Sequence, residues 1–352
     1  MSNIVIIGAG QTGRGYLNRF FQKESVTFLD KDRTLVKSLQ AAPSYQISFG
    51  PDGRKPVIVN NYRAYPINSK EGLQCLSEAD LVMISVGQQN LKDTIDMLGT
   101  APASRTKEDL DILTAENGVN VKKELLPLCR DRRVHLAEAI VFCTTLQQEN
   151  SLDILSEDLD YLPYDAVSLG HTLPYENMEA EDHLDILMQR KIYTYNCISA
   201  AVAYLGYCKG YSIYSEAAND VWISQCVRNI LEPLNQCICL EYHISSDEQQ
   251  RFSDMAVKKF QYRAIVDTIE RNARDVDRKL GPSERILAPL SLLRKYNKNC
   301  PELLLVAACA IYYGQETGTL KEAIPSYFQT LPTDWTSQII KGLSTLSSTK
   351  FH

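Results

Sequence analysis

Two groups of residues in this sequence have types and spacings that can do chemistry. The first is Gly8-x-Gly10-x-x-Gly13, met directly after the β-branched run Ile4-Val5-Ile6-Ile7. In a strand–turn–helix setting Gly8 permits the tight turn, Gly10 lets a pyrophosphate approach the backbone, and Gly13 lets the following helix pack against the strand. A helix starting near Gln11 would aim the free N–H groups of its first turn, Gln11 and Thr12 included, at the phosphates. Asp30 stands twenty residues after Gly10, at the end of a second apolar run, Ser25 to Leu29. An acid there accepts hydrogen bonds from a ribose 2′-hydroxyl and repels a 2′-phosphate, which favours NAD over NADP; Lys31 and Arg33 follow it and soften that preference. The second group is Lys191, Asn196 and Ser199, spaced i, i+5 and i+8. On an α-helix they fall at about 0°, 140° and 80°, all on one side. A lysine beside a bound nicotinamide cation loses affinity for its proton, and one tuned near neutrality serves as general base on an alcohol. From spacing alone, a helix with one solvated lysine and one cap-like asparagine is the commoner meaning.

Elements must hold these groups. Asp80 to Val86 with Gly87, Leu110 to Ala115 with Glu116-Asn117, and Ala139 to Cys143 with Thr144 each read as a buried strand closed by a short loop. Strands alternating with helical spans predict a parallel, doubly wound Rossmann-type sheet, with its ligand crevice at the strand C-termini. Val86, Gly87, Glu116, Asn117 and Thr144 all fall at such ends and are candidates to line the crevice; an ordinary strand-to-helix turn accounts for each equally well. Asp32 is placed to cap a helix from Arg33 to Gln40. Tyr45 to Phe49 and Val57 to Val59 flank Gly50-Pro51-Asp52-Gly53 and read as an inserted hairpin. Beyond about residue 185 strand patterning stops. Helices are expected over Asp185–Gly206, Glu216–Tyr242 and Ser246–Ala273, with Ser246-x-x-Gln249 as a capping box. A fourth starts after Gly281-Pro282. A fifth is bracketed by Pro301 and Gly314. The tail from Ser344 to Thr349 is expected to fray. The expected domains are thus an α/β unit over 1–185 and an all-α unit over 186–352.

Composition narrows the function classes. The 352 residues carry a net charge of −6 with no Lys/Arg block, so neither nucleic acid nor a membrane surface is an expected partner. No apolar run approaches the roughly 20 residues of a spanning helix. A strand beginning at residue 3 leaves no room for a signal peptide. The ten cysteines are scattered without a Cys-x-x-Cys pair, and there are only five histidines. The expectation is reduced thiols in a cytoplasmic protein and no metal site.

The helix around Lys191 also resembles a known family. Lys191, Asn196 and the run Ala203-Tyr204-Leu205-Gly206 follow the Lys-x4-Asn-x2-His signature, with its trailing Ala-Tyr-Leu-Gly, of the polyol-specific long-chain dehydrogenases. Gly8-Ala9-Gly10 with Gly13-Arg14-Gly15, Ser44-Tyr45-Gln46, Val86-Gly87, Ala115-Glu116-Asn117 and the segment Arg278 to Arg285 extend the similarity over most of the chain. The resemblance implies NAD-dependent oxidation of a secondary alcohol to a ketone without a metal. Lys191 would be the base, Asn196 would hold the reacting oxygen, and Arg271 and Lys279 would bind the polyol or its charged end. Three departures stand out. Ser199 occupies the family's histidine position, Thr144 an Asn/Asp position, and Tyr262-Arg263 an Asn-Pro position. The stretch from 150 to 185 is also shorter than in the family and lacks its tryptophan. Both hydroxyls can still donate hydrogen bonds, and the changes imply a substrate unlike the usual one.

The expectation is an NAD-dependent dehydrogenase for a polyol, a polyol phosphate, the matching ketose or a related sugar acid. The rival is a nucleotide-binding sensor or partner subunit that has lost turnover. A helical unit serving mainly for dimerisation is a third reading; the resemblance implies a monomer or at most a weak homodimer.

Overall fold

The computed structural model describes residues 1–51, 53–98, 109–116, 121–127 and 134–348. Twelve strands occur among them. They are β1 (Asn3–Ile7), β2 (Ser25–Asp30), β3 (Tyr45–Ser48), β4 (Val57–Val59), β5 (Tyr62–Pro66), β6 (Leu81–Ile84), β7 (Leu110–Thr114), β8 (Val134–Glu138), β9 (Thr145–Gln147), β10 (Ile154–Ser156), β11 (Leu162–Asp165) and β12 (Met178–Glu181). Six form an all-parallel sheet in the order β5-β2-β1-β6-β7-β8. The order reverses beside β1, which makes the β1/β6 boundary the topological switch point. The opening run lacks polar alternation because both its faces are covered. Ile4 and Ile6 enter one core with Phe28 and Met83, while Val5 and Ile7 enter the other with Val82 and Ile112. Each such side chain contributes about 1.5–3 kcal/mol by burial.

A second sheet has the order β4-β3-β10-β9. The expected hairpin is there, β3 antiparallel to β4, within this sheet rather than the large one. β11 and β12 pair separately. The chain divides into two compact units, Met1–Leu184 and Asp185–His352.

Several expectations need correction. The last strand of the large sheet is Val134–Glu138, not 139–143. Ala139 still donates to Thr114 O, but Ile140 donates to Pro163 O, so the apolar segment leaves the sheet and runs buried toward the second one. Burial, not pairing, makes it apolar. In the helical unit, Asp185–Gly206 is one helical run, but it holds a π turn, Ile192–Asn196, between the α-helices Leu184–Lys191 and Cys197–Cys208. The expected helix 216–242 is two, Tyr214–Ala218 and Val221–Tyr242. They part at Asp220, whose side chain accepts from Ile223 N–H and caps the second. The expected 246–273 helix is also two, Ser246–Gln261 and Ile269–Ala273, because Thr268 bridges to Ile213 and caps Arg271 N–H. The N-cap of the first is Ser245, bonded to Glu248 N–H, so the capping box lies one residue earlier. Gly314 lies inside the helix Pro301–Glu316, tight against Val276 and Leu320, not beyond its end. The tail does not fray before residue 349, since Thr333–Ser348 is helical and buries Leu346. No helix among the described residues is long and apolar enough to cross a membrane.

Candidate active site

In the first unit, Gly8 follows β1 with φ +97°, and a Cβ there would lie 2.0 Å from Ser85 O. A Cβ on Gly13 would lie 2.0 Å from Gly8 O. These two positions admit only glycine, whereas nothing lies within 4 Å of where a Gly10 Cβ would be. That open space above the loop is what a close-lying pyrophosphate requires. The helix does begin at Gln11, with Gly10 as N-cap, but it runs only to Gly15 before a 3₁₀ segment, Leu17–Phe21. The loop is braced from beneath by Arg14. Its fully buried guanidinium donates to Ala9 O (2.6 Å), to Gln147 Oε1 (3.0 Å) and to Leu152 O.

Asp30 ends β2. Its Oδ2 accepts from Ala9 N–H (2.7 Å) and its Oδ1 from Asp32 N–H (2.8 Å). Each oxygen keeps a second lone pair for a ribose hydroxyl. Asp30, Lys31 and Arg33 line a cavity of about 320 Å³ together with the 66–69 turn. Open glycine loop, acid and adjoining cavity together fit a dinucleotide.

Glu116 follows β7 and is buried. Its carboxylate accepts from the N–H groups of Val86 (2.6 Å) and Gly87 (2.9 Å). Burial pushes this carboxyl up to about 7, against the opposing pull of those two amides. Val86 and Gly87 therefore present a loop whose amides are already engaged, a linkage that spacing alone did not reveal. Asn117 lies outside the described residues. Thr144 is not at the end of a strand of the large sheet. It precedes β9 in the second sheet, its backbone bonded to Glu157 through both N–H and C=O.

In the second unit, Lys191 closes the helix Leu184–Lys191 and is only 5% exposed. Burial first, then the charges of Arg285 and Lys259, push its ammonium down to about 7, and Glu284 pulls the other way. The π turn changes the expected geometry. Its hydrogen bonds run from i to i+5, so residues five apart stack as those four apart do on an α-helix. Asn196, the last residue of the turn, thus stacks on the Lys191 side of the helix. Ser199 is half-buried one turn further, its carbonyl receiving Tyr214 OH (3.4 Å).

A buried network holds the turn in place. Arg190 donates from Nε to Gln249 Oε1 (3.1 Å) and from Nη1 to Glu248 (2.8 Å). Gln249 Nε2 donates to Thr194 Oγ1 (3.1 Å) and Asn235 Oδ1 (3.1 Å). The residues on both sides of Lys191 are therefore fixed by the helix Ser246–Gln261.

Lys279 is likewise buried and donates to Asn272 O (2.6 Å). Burial, then Arg285 and Arg278, push it down to about 7. Arg285 is the strongest charged neighbour of both lysines. Its charge acts on both, and it is itself steadied by Glu284, which binds Arg285 (3.1 Å) and Arg278 (2.7 Å). Sequence reasoning passed over Arg285; its only signal was membership of the Arg278–Arg285 segment. Arg271 is differently placed, ion-paired to Asp267 at 2.5 Å.

This is a Rossmann-type α/β unit followed by a helical unit with a buried lysine on a π turn. Residues 183–333 match the Mannitol dehydrogenase C-terminal domain, and residues 4–155 match Ketopantoate reductase PanE/ApbA. The chain is thus similar to the mannitol dehydrogenase family over its second unit and to mannitol-1-phosphate 5-dehydrogenases over most of its length. Mannitol-1-phosphate 5-dehydrogenase of Thermoanaerobacter pseudethanolicus is 26% identical over 313 residues, 83% of this chain and 81% of that protein. The mannitol-1-phosphate 5-dehydrogenase of Coccidioides immitis is 29% identical over 85% of this chain and 83% of its own. The Pseudomonas fluorescens mannitol 2-dehydrogenase, solved as a ternary complex with NAD and D-mannitol, shares the fold with a TM-score of 0.78. That match has 13% identity and covers 98% of this chain and 92% of the other.

Proposed function

We propose that this chain is an NAD-dependent dehydrogenase of the mannitol-1-phosphate 5-dehydrogenase type, interconverting a secondary alcohol of a polyol or polyol phosphate with its ketone. The observation that carries the reading is Lys191, a lysine held near neutrality by burial, with Asn196 stacked on it by the π turn. Bound NAD would supply the hydride acceptor for the carbinol carbon. The neutral Lys191 amine takes the hydroxyl proton, leaving the ketone. Asn196 donates to the reacting oxygen, with Ser199 supplying a hydroxyl where the family has an imidazole. The Gly8–Gly13 loop takes the pyrophosphate and Asp30 the adenosine ribose. Lys279, Arg271 and Arg285 supply cationic charge for the substrate's polar or phosphorylated end. Thr144, no longer at a sheet terminus, is proposed as a substrate contact on the resemblance alone.

The domain roles follow, with 1–185 as the nucleotide unit and 186–352 as the substrate unit. The nine described cysteines are all free thiols, in keeping with a cytoplasmic setting. A monomer or weak homodimer is expected by gel filtration against 39.7 kDa.

The test is NADH oxidation with a panel of ketoses, ketose phosphates and keto-sugar acids, run beside Lys191→Ala. Turnover on one member, lost in the variant, supports the reading. NADH binding without turnover on any member sinks it in favour of a nucleotide-binding sensor.

A further inference from the structure

Folding assembles a set of metal-ligating side chains that no spacing in the sequence displays. Asp111 is the second residue of β7 and His135 the second of β8, and the two are register partners on adjacent parallel strands. His171 comes from the segment after the short helix Ala166–Leu169, just past its left-handed C-cap at Gly170. Asp111 Oδ1 lies 3.1 Å from His135 Nδ1, and its Oδ2 lies 3.0 Å from His171 Nε2. One ligand atom from each of the three falls within 4.8 Å of the others. The carboxylate is 14% exposed, while the imidazoles are 33% and 44% exposed, so the set is anchored at its base and open at its mouth.

We propose that Asp111, His135 and His171 form a binding site for a borderline-soft divalent cation of the zinc type, separate from the dehydrogenase site. The donor chemistry selects the ion. Two imidazoles and a carboxylate suit zinc or its first-row neighbours, and three protein ligands leave a fourth position for water. Zinc bonds of about 2.0–2.1 Å set tetrahedral ligand atoms roughly 3.3 Å apart. Each Asp–His pair already lies within a few tenths of an ångström of that, though through different carboxylate oxygens, so the carboxylate would turn to present one of them to the ion. Neutral imidazoles need only exchange tautomers. With the proton on Nε2 of His135 and on Nδ1 of His171, the freed lone pairs would face the ion. A protonated imidazole would release one proton on binding. Among the described residues Asp111 pairs with no lysine or arginine, so its charge faces the two imidazoles and a cation between them.

Position separates this site from the proposed chemistry. Asp111 lies at the start of β7, whereas Glu116 lies beyond its end; three strand residues span about 10 Å. A cation here would staple the 170–171 segment to the edge of the parallel sheet, a structural rather than a catalytic part.

The test uses the full chain, stripped with chelator and titrated with zinc chloride against a competing chromophoric chelator. Cobalt is used in parallel as a spectroscopic reporter. One equivalent of zinc at micromolar concentration, visible d–d bands with cobalt and a zinc-dependent rise in Tm are expected. His171→Ala and His135→Ala should weaken binding at least tenfold and erase the Tm rise. His171→Ala, at an exposed position, leaves the fold intact as judged by circular dichroism. No binding up to 100-fold above micromolar, or zinc affinity unchanged in His171→Ala, overturns the site.

Discussion

Lys191 and Asn196 are joined by a single π turn, Ile192–Asn196, which stacks residues five apart. On an uninterrupted α-helix the pair would diverge by about 140°. Removing the amide should therefore cost the reaction rather than the fold. Asn196→Ala is expected to lower kcat by about 10²–10³ with little change in NADH affinity, as for the loss of one preorganised donor to a reacting oxygen. Steady-state kinetics beside a fluorescence titration of NADH check this. An equal loss in both would assign Asn196 to cofactor binding instead.

On the proposed mechanism, Lys191 sets the pH dependence. Alcohol oxidation needs the neutral amine, so its kcat should rise as pH increases through about 7 and then level off. Ketone reduction needs the ammonium and should fall over the same range. Opposite limbs in the two directions, sharing one midpoint, are the expected pair of profiles; parallel limbs would exclude Lys191 as the group that carries the proton.

Asp30 sets the choice of dinucleotide. Its carboxylate lies at the cavity with Lys31 and Arg33, two cations able to receive a 2′-phosphate once the acid is gone. Asp30→Ser should lower kcat/KM for NAD and raise it for NADP, shifting the ratio by at least tenfold. Because Asp30 also accepts from Ala9 N–H, some loss with both cofactors is expected. The ratio, measured for the two coenzymes, is the decisive quantity.

Lys279 makes a thermodynamic prediction. Its ordinary value of 10.5 falls to about 7 in the folded chain. Between those values the unfolded chain holds a proton that the folded chain lacks, so stability rises with pH across this window. Below about 7 the buried charge exacts its full penalty. Lys279→Met should therefore raise Tm relative to the parent more at pH 7 than at pH 10, by a few degrees. The lost bond to Asn272 O is independent of pH and cancels in the comparison. Thermal melts at the two pH values decide it, and a difference of zero would mean that the lysine is solvated when charged.

The sheet's interior was legible because β1, β6 and β7 are covered on both faces and so read as unbroken apolar runs. Its edges were not. β5 is Tyr-Arg-Ala-Tyr-Pro and β8 is Val-His-Leu-Ala-Glu, partly exposed strands whose polar residues mask the pattern, while the buried 139–143 segment, which forms no strand of the large sheet, imitates one. The helical unit was legible as helical but not in its breaks. Caps such as Asp220 and Thr268 act through side-chain bonds that leave apolar periodicity undisturbed. In the candidate site, Lys191, Asn196 and Lys279 were found from spacing and resemblance. Arg285 and the grip of Glu116 on Val86 and Gly87 arise only from tertiary packing, which brings together elements about thirty or more residues apart.

The guanidinium beneath the glycine loop has a consequence for the order in which the chain is made. Arg14 is synthesised well before one acceptor it needs, since Leu152 O lies 138 residues later. Until β9 and β10 have been synthesised, that charge has no folded pocket to enter and stays hydrated. The glycine loop thus reaches its final form only after a segment made much later has folded. A nascent chain halted before residue 150 would carry the glycine sequence intact without the finished loop.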